Sequence, residues 1–129
     1  MQYVWMFVDR PHLRDAVPPE RLEKVYGEIF QWFETQYAAG HIANGGAELQ
    51  PPETATTLHA ASEGEPVVAD GPFSEAKEVI GGFTVIEVPD HDTAVSVART
   101  WPGLQTPGVS VELRPIVDHS DDVQPATSS

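Results

Sequence analysis

The segment Asp70–Glu78, with the sequence DGPFSEAKE, and the Gly81-Gly82-Phe83 that follows it connect two apolar parts of the chain. This connection combines an acid, glycines, a proline, an aromatic ring, a hydroxyl and a lysine. Connections so dense in special residues are more often functional than decorative. Ser74 is placed to cap a short helix from Glu75 to Ile80. The segment is therefore both the turn that organises the fold and the first candidate site.

The chain beyond this segment reads as strand, helix and strand. Phe83–Val88 is predicted to be a strand that ends at Pro89, and Asp90 is placed to cap a helix. The apolar spacing of Ala94, Val97, Ala98 and Trp101 predicts the buried side of that helix. The last strand is expected over Val109–Ile116, with alternate side chains facing opposite sides.

The chain before it reads as strand, helix, strand and hairpin. Gln2–Val8 is apolar on both alternating faces, which is typical of a central strand. A helix is predicted from Pro18-Pro19 to Ala39, with Gly40 as its C-terminal cap. Its predicted buried side holds Leu22, Val25, Tyr26, Ile29, Phe33 and Tyr37. His41–Leu49 is the next predicted strand, in which Gly45-Gly46 indicates a bulge or a close backbone approach. Segments 56–61 and 66–69 then form a predicted hairpin.

This order predicts an α+β fold, a ferredoxin-like sandwich of the β-α-β-hairpin-β-α-β type. Its helices would cover one face of the sheet. The other face is still apolar, because both faces of the first strand are, and an uncovered apolar face implies a partner. The simplest partner is a second copy, which gives a homodimer whose two sheets close into a dimeric α+β barrel.

Length and composition bound the other possibilities. The 129 residues form one predicted domain, residues 1–117, followed by an acidic tail, 118–129, expected to be disordered. The net charge of −13 opposes binding to nucleic acid or an anionic membrane. There is no cysteine, no targeting segment and no apolar stretch that could span a bilayer. We therefore expect a cytoplasmic protein.

Two carboxylates and one histidine are the candidate catalytic residues. Asp70 is either a turn-forming residue that accepts backbone N–H groups or an acid or base in an apolar cleft. Glu48 either faces solvent or makes a carboxylate pair with Asp70, and such a pair in a cavity separates the two pKa values as acid–base work needs. His41 is a third candidate, as a catalytic base.

Residues of the Asp70 segment and the last strand are candidates for ligand binding. Gly71 would let a ligand approach the backbone, and Phe73 stands beside it. Ser74 begins the predicted short helix, whose N-terminus, with Lys77, could hold an anion. Arg114 could bind a ligand carboxylate or pair with acids across the dimer interface.

The sequence predicts neither a cofactor nor a metal site. The five histidines lack metal-ligand spacing, and no phosphate-binding glycine motif is present.

The Asp70-Gly71-Pro72-Phe73 segment, with Glu75, Lys77, Glu78 and Gly82-Phe83 behind it, resembles the signature of the DGPF proteins of the YCII-related superfamily. Other segments agree with the family pattern and extend the resemblance over residues 1–117; they are Met1–Val4, Gly46–Pro51, Thr54–Thr57, Pro89–Ala94 and Val111–Pro115.

The resemblance implies a dimeric, ferredoxin-like α+β barrel. The superfamily carries a proposed His–Asp dyad in a cleft near the dimer interface, and at least one relative is a dehydrochlorinase of a chlorinated aromatic. The dyad histidine sits on or just after the first helix. Here the helix from Pro18 to Ala39 contains no histidine, and His41 is the nearest.

Two functions follow from the sequence. One is small-molecule binding or acid–base chemistry in a cleft around Asp70, Glu48 and Arg114. The other is a non-catalytic regulatory or interaction module, linked to an extracytoplasmic-function sigma factor as genes of the family often are. An open cavity lined by carboxylates favours the first, and exposed aromatic residues on the first helix favour the second.

Overall fold

The computed structural model describes residues 1–72 and 78–121. Six strands lie in these ranges: β1 (Gln2–Asp9), β2 (Ile42–Glu48), β3 (Thr56–His59), β4 (Val67–Asp70), β5 (Val79–Glu87) and β6 (Ser110–Pro115). The helices are α1 (Pro11–Arg14), α2 (Pro19–Ala38) and α3 (His91–Arg99), with 3₁₀ turns at Pro52–Thr54 and Pro102–Gln105. The predicted α+β class is confirmed.

Four strands form an antiparallel sheet in the order β2-β5-β1-β6, and β3 and β4 form a separate two-stranded sheet. β1 is central, as the apolar character of both its faces predicted. Its partners place Trp5 opposite Thr84 of β5 and Leu113 of β6. Directly opposed residues share a face, so this register fixes which side chains meet the helices.

The helices α2 and α3 cover one face of the sheet. Tyr3 and Trp5 of β1 and Ile86 of β5 are buried there against Trp32 of α2 and Val97 of α3. The rings of Trp5 and Trp32 meet edge to face at 5.0 Å, an arrangement that adds to the energy of burial. The Trp32 indole N–H donates to the Thr100 hydroxyl at 2.7 Å, which satisfies its polar end.

The helix caps predicted at Gly40 and Asp90 are confirmed. Gly40 has φ of +78°, and the backbone N–H groups of Gly40 and His41 return to Tyr37 and Gln36 at the end of α2, each at 3.0 Å. At the start of α3, the Asp90 carboxylate accepts the N–H of Thr93 at 2.8 Å.

Two details of the prediction are wrong. Of the helix predicted over Glu75–Ile80, the last two positions are strand, because Val79 and Ile80 belong to β5 and pair with Asp9 and Val8. Ser74 and residues 75–77 lie outside the described residues. The helix face of α2 is also rotated from the expected one. Trp32 is buried in the core, whereas Tyr26 and Tyr37 are exposed.

The opposite face of the sheet is apolar along β1 and β5, and neither α2 nor α3 packs on it. β1 and β5 supply neighbouring pairs along it: Val4 with Val85, Met6 with Phe83, and Val8 with Ile80. Among the described residues, no helix combines the length and apolarity that a membrane crossing requires.

Candidate functional site

A cavity of about 380 Å³ lies between α2 and one end of the main sheet. Its walls are α2, the ends of β1 and β2, the start of β5 and the turn after α3. Five of its lining residues carry aromatic rings on the helix-covered side of the sheet or in the helix and turn above it: Phe7, Tyr26, Phe30, Phe33 and Trp101. A cavity of about 150 Å³ can hold benzene, so this one has room for a larger ring compound.

Glycine backbone forms the wall of this cavity on the β2 side. Gly46 has φ of +66°, and a Cβ there would lie 1.8 Å from the Phe83 carbonyl oxygen, so only glycine fits. The Asn44 side chain accepts the Gly46 N–H at 2.7 Å and fixes the irregular pairing between β2 and β5. The bulge predicted from Gly45-Gly46 is therefore present, and both glycines line the cavity.

Asp9 is the most unusual group in the cavity lining. It is the last residue of β1 and is only 9% exposed. Its Oδ2 accepts a hydrogen bond from Nη1 of Arg14 at 2.5 Å. Its Oδ1 is buried and has no hydrogen-bond partner within the described ranges. A buried carboxylate oxygen without a protein partner costs stability, and a ligand, a bound water or an ion would each remove that cost.

Trp101 supplies a second unpaired polar atom to the same lining. Its ring lies 4.6 Å from that of Phe7, centroid to centroid. Its Nε1 is buried and, as far as the structure describes the chain, donates to no acceptor. The residues around the cavity thus include one unused acceptor, on Asp9, and one unused donor.

The two carboxylates that were predicted to pair, those of Glu48 and Asp70, lie in different parts of the structure. Glu48 ends β2 and lines the cavity. Asp70 ends β4, where it is exposed and lies opposite Thr56 in the two-stranded sheet. Gly71 follows it and donates its N–H to the Ala55 carbonyl at 2.7 Å. Within one chain, the structure does not bring Asp70 and Glu48 to the same cavity.

His41 and Arg114 do not line the cavity. His41 is half-buried between α2 and β2, with Nδ1 2.7 Å from the Gln36 side-chain oxygen. Arg114 is exposed on the uncovered sheet face and pairs with Glu112 of its own strand at 2.5 Å. Phe73, Ser74 and Lys77 lie outside the described residues. The roles of all these residues stay predictions.

Asp9 and Arg14 were not among the sequence candidates, although a signal for Asp9 exists. The buried face of β1 uses every second residue, Tyr3, Trp5 and Phe7, and Asp9 is the next position on it. A charged residue that continues a buried face is informative. In residues 1–72 and 78–121, no three His, Cys, Asp or Glu side chains cluster as a metal site would need.

Comparison with known proteins agrees with the resemblance. An uncharacterised protein of Rhizobium meliloti (strain 1021) is 40% identical over 70 residues, which is 54% of this chain and 56% of that protein. This chain therefore matches little more than half the length of that relative.

A solved structure of 5-chloro-2-hydroxyhydroquinone dehydrochlorinase from Burkholderia phenoliruptrix AC1100, in complex with 2,5-dihydroxybenzoquinone, aligns with a TM-score of 0.49. The alignment has 18% identity and covers 94% of this chain and 97% of that one.

The family model of the YCII-related domain matches residues 1–120. The chain therefore belongs to the YCII-related family.

Proposed function

We propose that this domain binds a small, mostly apolar ring compound in the cavity beneath α2, with Asp9 as its polar anchor and acid–base group. The observation that carries the proposal is the buried, unpartnered Oδ1 of Asp9 in the lining of an aromatic cavity. A ligand hydroxyl would supply the missing hydrogen bond. A ligand proton released there would pass to a carboxylate, as general-base catalysis requires.

Arg14 fixes the orientation of the Asp9 carboxylate. The guanidinium binds Oδ2 and holds the plane of the carboxylate, while Oδ1 is left to the ligand. Arg14 is 41% exposed at its side chain, so it also connects this end of the cavity to solvent. Glu48 is a second, exposed carboxylate of the lining that could exchange protons with water.

The proposal keeps the predicted class of function and moves its centre from Asp70 to Asp9. The part of the Asp70 segment that the structure describes does not line the cavity. A contribution of Asp70 to ligand binding remains a sequence prediction, separate from the proposed role of Asp9.

The proposed working form is a cytoplasmic homodimer with a ferredoxin-like subunit and a barrel formed by two facing sheets. The strand order β2-β5-β1-β6, with α2 and α3 on one face, supports the subunit architecture. The apolar side chains of β1 and β5 on the face away from the helices support the dimer, because contiguous apolar patches on a surface often mark protein–protein contacts.

Binding of two fluorinated probes tests the cavity. Fluorobenzene reports the aromatic cavity alone, and 4-fluorophenol adds one hydroxyl for Asp9. By ¹⁹F NMR, both should bind the wild type, with the phenol preferred by roughly tenfold, the value of one hydrogen bond to a charged group. The Asp9→Leu variant should lose that preference and still bind fluorobenzene.

The matched control is Glu34→Gln, which removes an exposed carboxylate of α2 outside the cavity lining. It should behave as the wild type does. If neither probe binds the wild type, or if Asp9→Leu keeps the full preference for the phenol, the proposal fails.

One observation favours the alternative of a non-catalytic interaction module. Phe30 of α2 is 71% exposed, and Tyr26 and Tyr37 are exposed near it in the helix. If a protein partner docks on this surface, Phe30→Ser should abolish its binding. A domain that only binds small molecules in the cavity requires no protein partner here. Recovery of a partner from the native host by wild type but not by Phe30→Ser would favour the module.

A further inference from the structure

We infer that Trp101 is a second ligand-binding residue of the cavity, and that its indole N–H recognises an uncharged acceptor oxygen on the bound ring compound. The inference rests on the function proposed above and deepens it, because it narrows the class of ligand. The compound would carry a hydroxyl for Asp9 and, at another position, an acceptor such as a ketone or ester carbonyl.

Trp101 brings an unpaired donor to the cavity lining. It is 8% exposed and lies in the turn after α3 that forms one wall of the cavity. Its Nε1 is buried and has no acceptor among the described residues. A buried N–H without a partner costs stability, and an acceptor oxygen on a ligand would remove that cost.

The packing of Trp101 holds this donor in place. Its ring lies 4.6 Å from the ring of Phe7, and it meets the ring of Trp5 edge to face at 6.3 Å, centroid to centroid. On another side, a Cβ at position 103 would collide with the indole, so Gly103 is required for the ring to lie where it does. Because three neighbours hold the ring, the indole cannot rotate toward an acceptor elsewhere in the chain.

The other two tryptophans of the chain differ from Trp101. The indole N–H of Trp32 donates to the Thr100 hydroxyl at 2.7 Å. The indole N–H of Trp5 has no acceptor in the described ranges, but Trp5 does not line the cavity. Only Trp101 combines an unpaired N–H with a place in the cavity lining. Trp5 and Trp32 therefore serve as internal references for a test.

Asp9 and Trp101 are placed to bind separate parts of one ligand. Phe7, on which the Trp101 ring packs, lies two residues before Asp9 on the same face of β1, about 7 Å away along the strand. A substituted benzene ring spans a similar distance. One compound is therefore large enough to approach both the carboxylate and the indole.

The charges around the cavity favour an uncharged acceptor. Among the described lining residues, Arg14 is the only cation, and it already binds Asp9. Glu48 adds a second carboxylate to the lining, and the chain as a whole carries a net charge of −13. These charges would repel a carboxylate on the ligand, so a carbonyl oxygen is the better match for the indole N–H.

Two probes of nearly the same shape test this donor. The carbonyl oxygen of 4-fluoroacetophenone can accept the Trp101 N–H, whereas 4-fluoro-α-methylstyrene carries a CH₂ group in place of that oxygen. By ¹⁹F NMR, the wild type should bind the ketone roughly fivefold more tightly, the value of one neutral hydrogen bond. Trp101→Phe should lose this preference and still bind fluorobenzene, and Asp9→Leu should keep the preference.

The indole ¹H–¹⁵N resonances give a second measurement on the wild type. The ketone should move the Nε1–H proton of Trp101 downfield in proportion to the bound fraction, and the styrene should move it much less. The indole signals of Trp5 and Trp32 should change little with either probe. Loss of the signal in Trp101→Phe assigns it, and if that variant does not fold, nuclear Overhauser contacts with the Phe7 ring assign it instead.

The outcomes separate this inference from the proposed function. If the wild type prefers 4-fluorophenol to fluorobenzene but does not prefer the ketone to the styrene, Trp101 has no part in binding and the role of Asp9 stands. A ketone preference that persists in Trp101→Phe, or a bound ketone that leaves the Trp101 resonance in place, would also overturn the inference. If no ring compound binds the wild type, the inference and the proposed function fail together.

Discussion

The Asp9 carboxylate binds Arg14 through one oxygen and leaves the other buried without a partner in the described chain. The two residues are five positions apart, joined by the turn from β1 into the short helix α1. Arg14 is 41% exposed at its side chain, whereas Asp9 is 13% exposed at its own, so the pair joins a solvent-accessible guanidinium to a buried carboxylate. The Asp9–Arg14 ion pair therefore lies at the aromatic cavity, and Oδ1 of Asp9 accepts no hydrogen bond from the described residues.

This arrangement predicts that binding and stability oppose each other at Asp9. Asp9→Leu replaces a costly buried carboxylate with an apolar group, so its free energy of unfolding should stay within about 1 kcal/mol of wild type or rise. Arg14→Ala leaves the carboxylate without its charge partner and should cost about 1–2 kcal/mol, reduced from the fully buried case because the guanidinium is 41% exposed. Urea unfolding measures both. A loss above about 3 kcal/mol in Asp9→Leu would show that the carboxylate is structural.

The glycines of α2 and β2 should respond to alanine with opposite signs. Gly46→Ala places a Cβ against the Phe83 carbonyl at a positive φ and should cost more than about 2 kcal/mol. Gly27→Ala meets no atom within 4 Å in the middle of α2, and it should stabilise by about 0.5–1 kcal/mol. Thermal or urea unfolding compares the two, and equal effects would contradict the described β2 bulge.

The hydrogen bond between Trp32 and Thr100 should be measurable as a link between α2 and α3. Thr100→Val keeps the side-chain shape and leaves the indole N–H without its acceptor, so it should cost about 1 kcal/mol. Thr35→Val is the control, because the Thr35 hydroxyl reaches only the Gln31 carbonyl within α2. Comparable losses in the two variants would argue against this link.

The Asp90 cap predicts a pH dependence of stability. Hydrogen bonds from the Thr93 hydroxyl and backbone N–H lower the pKa of Asp90 below its ordinary value. A carboxyl whose folded pKa is depressed contributes stability above its unfolded pKa and loses it as the pH falls through the folded pKa. Asp90→Ala should therefore be less stable than wild type at pH 7, and the difference should shrink below about pH 4.

The matched variant Asp90→Asn keeps a cap that does not titrate. Its free energy of unfolding should rise relative to that of the wild type as the pH falls. A wild-type advantage over Asp90→Ala that is constant from pH 7 to acid would mean that the charge of Asp90 plays no part.

The sequence predicted most of the fold because its signals are local. Alternation identified β1, Gly40 ended α2, and Asp90 began α3, each through backbone chemistry within a few residues. The face of α2 was harder. The sequence of α2 contains two overlapping sets of apolar residues, and either could face the core. The contacts of Trp32 with Trp5 and Thr100 show that the set containing Trp32 is the buried one.

The candidate site was less predictable because it depends on distant parts of the chain. Glu48 lines the cavity and is exposed to solvent, whereas Asp70, with which it was predicted to pair, does not line the cavity. Asp9 acquires its environment from α2, β5 and the turn after α3, none of which its neighbours in sequence reveal. Asp70 was a candidate because of the unusual composition of its segment, but it lies in the β3–β4 hairpin and does not line the cavity.

The most direct test of the account is the carboxyl ¹³Cγ resonance of Asp9, assigned by its loss in Asp9→Leu and followed while 4-fluorophenol is added. If Asp9 is the polar anchor of the cavity, this resonance shifts in step with the bound fraction measured by ¹⁹F NMR, and fluorobenzene shifts it much less. A bound phenol that leaves the Asp9 resonance in place would contradict the central claim.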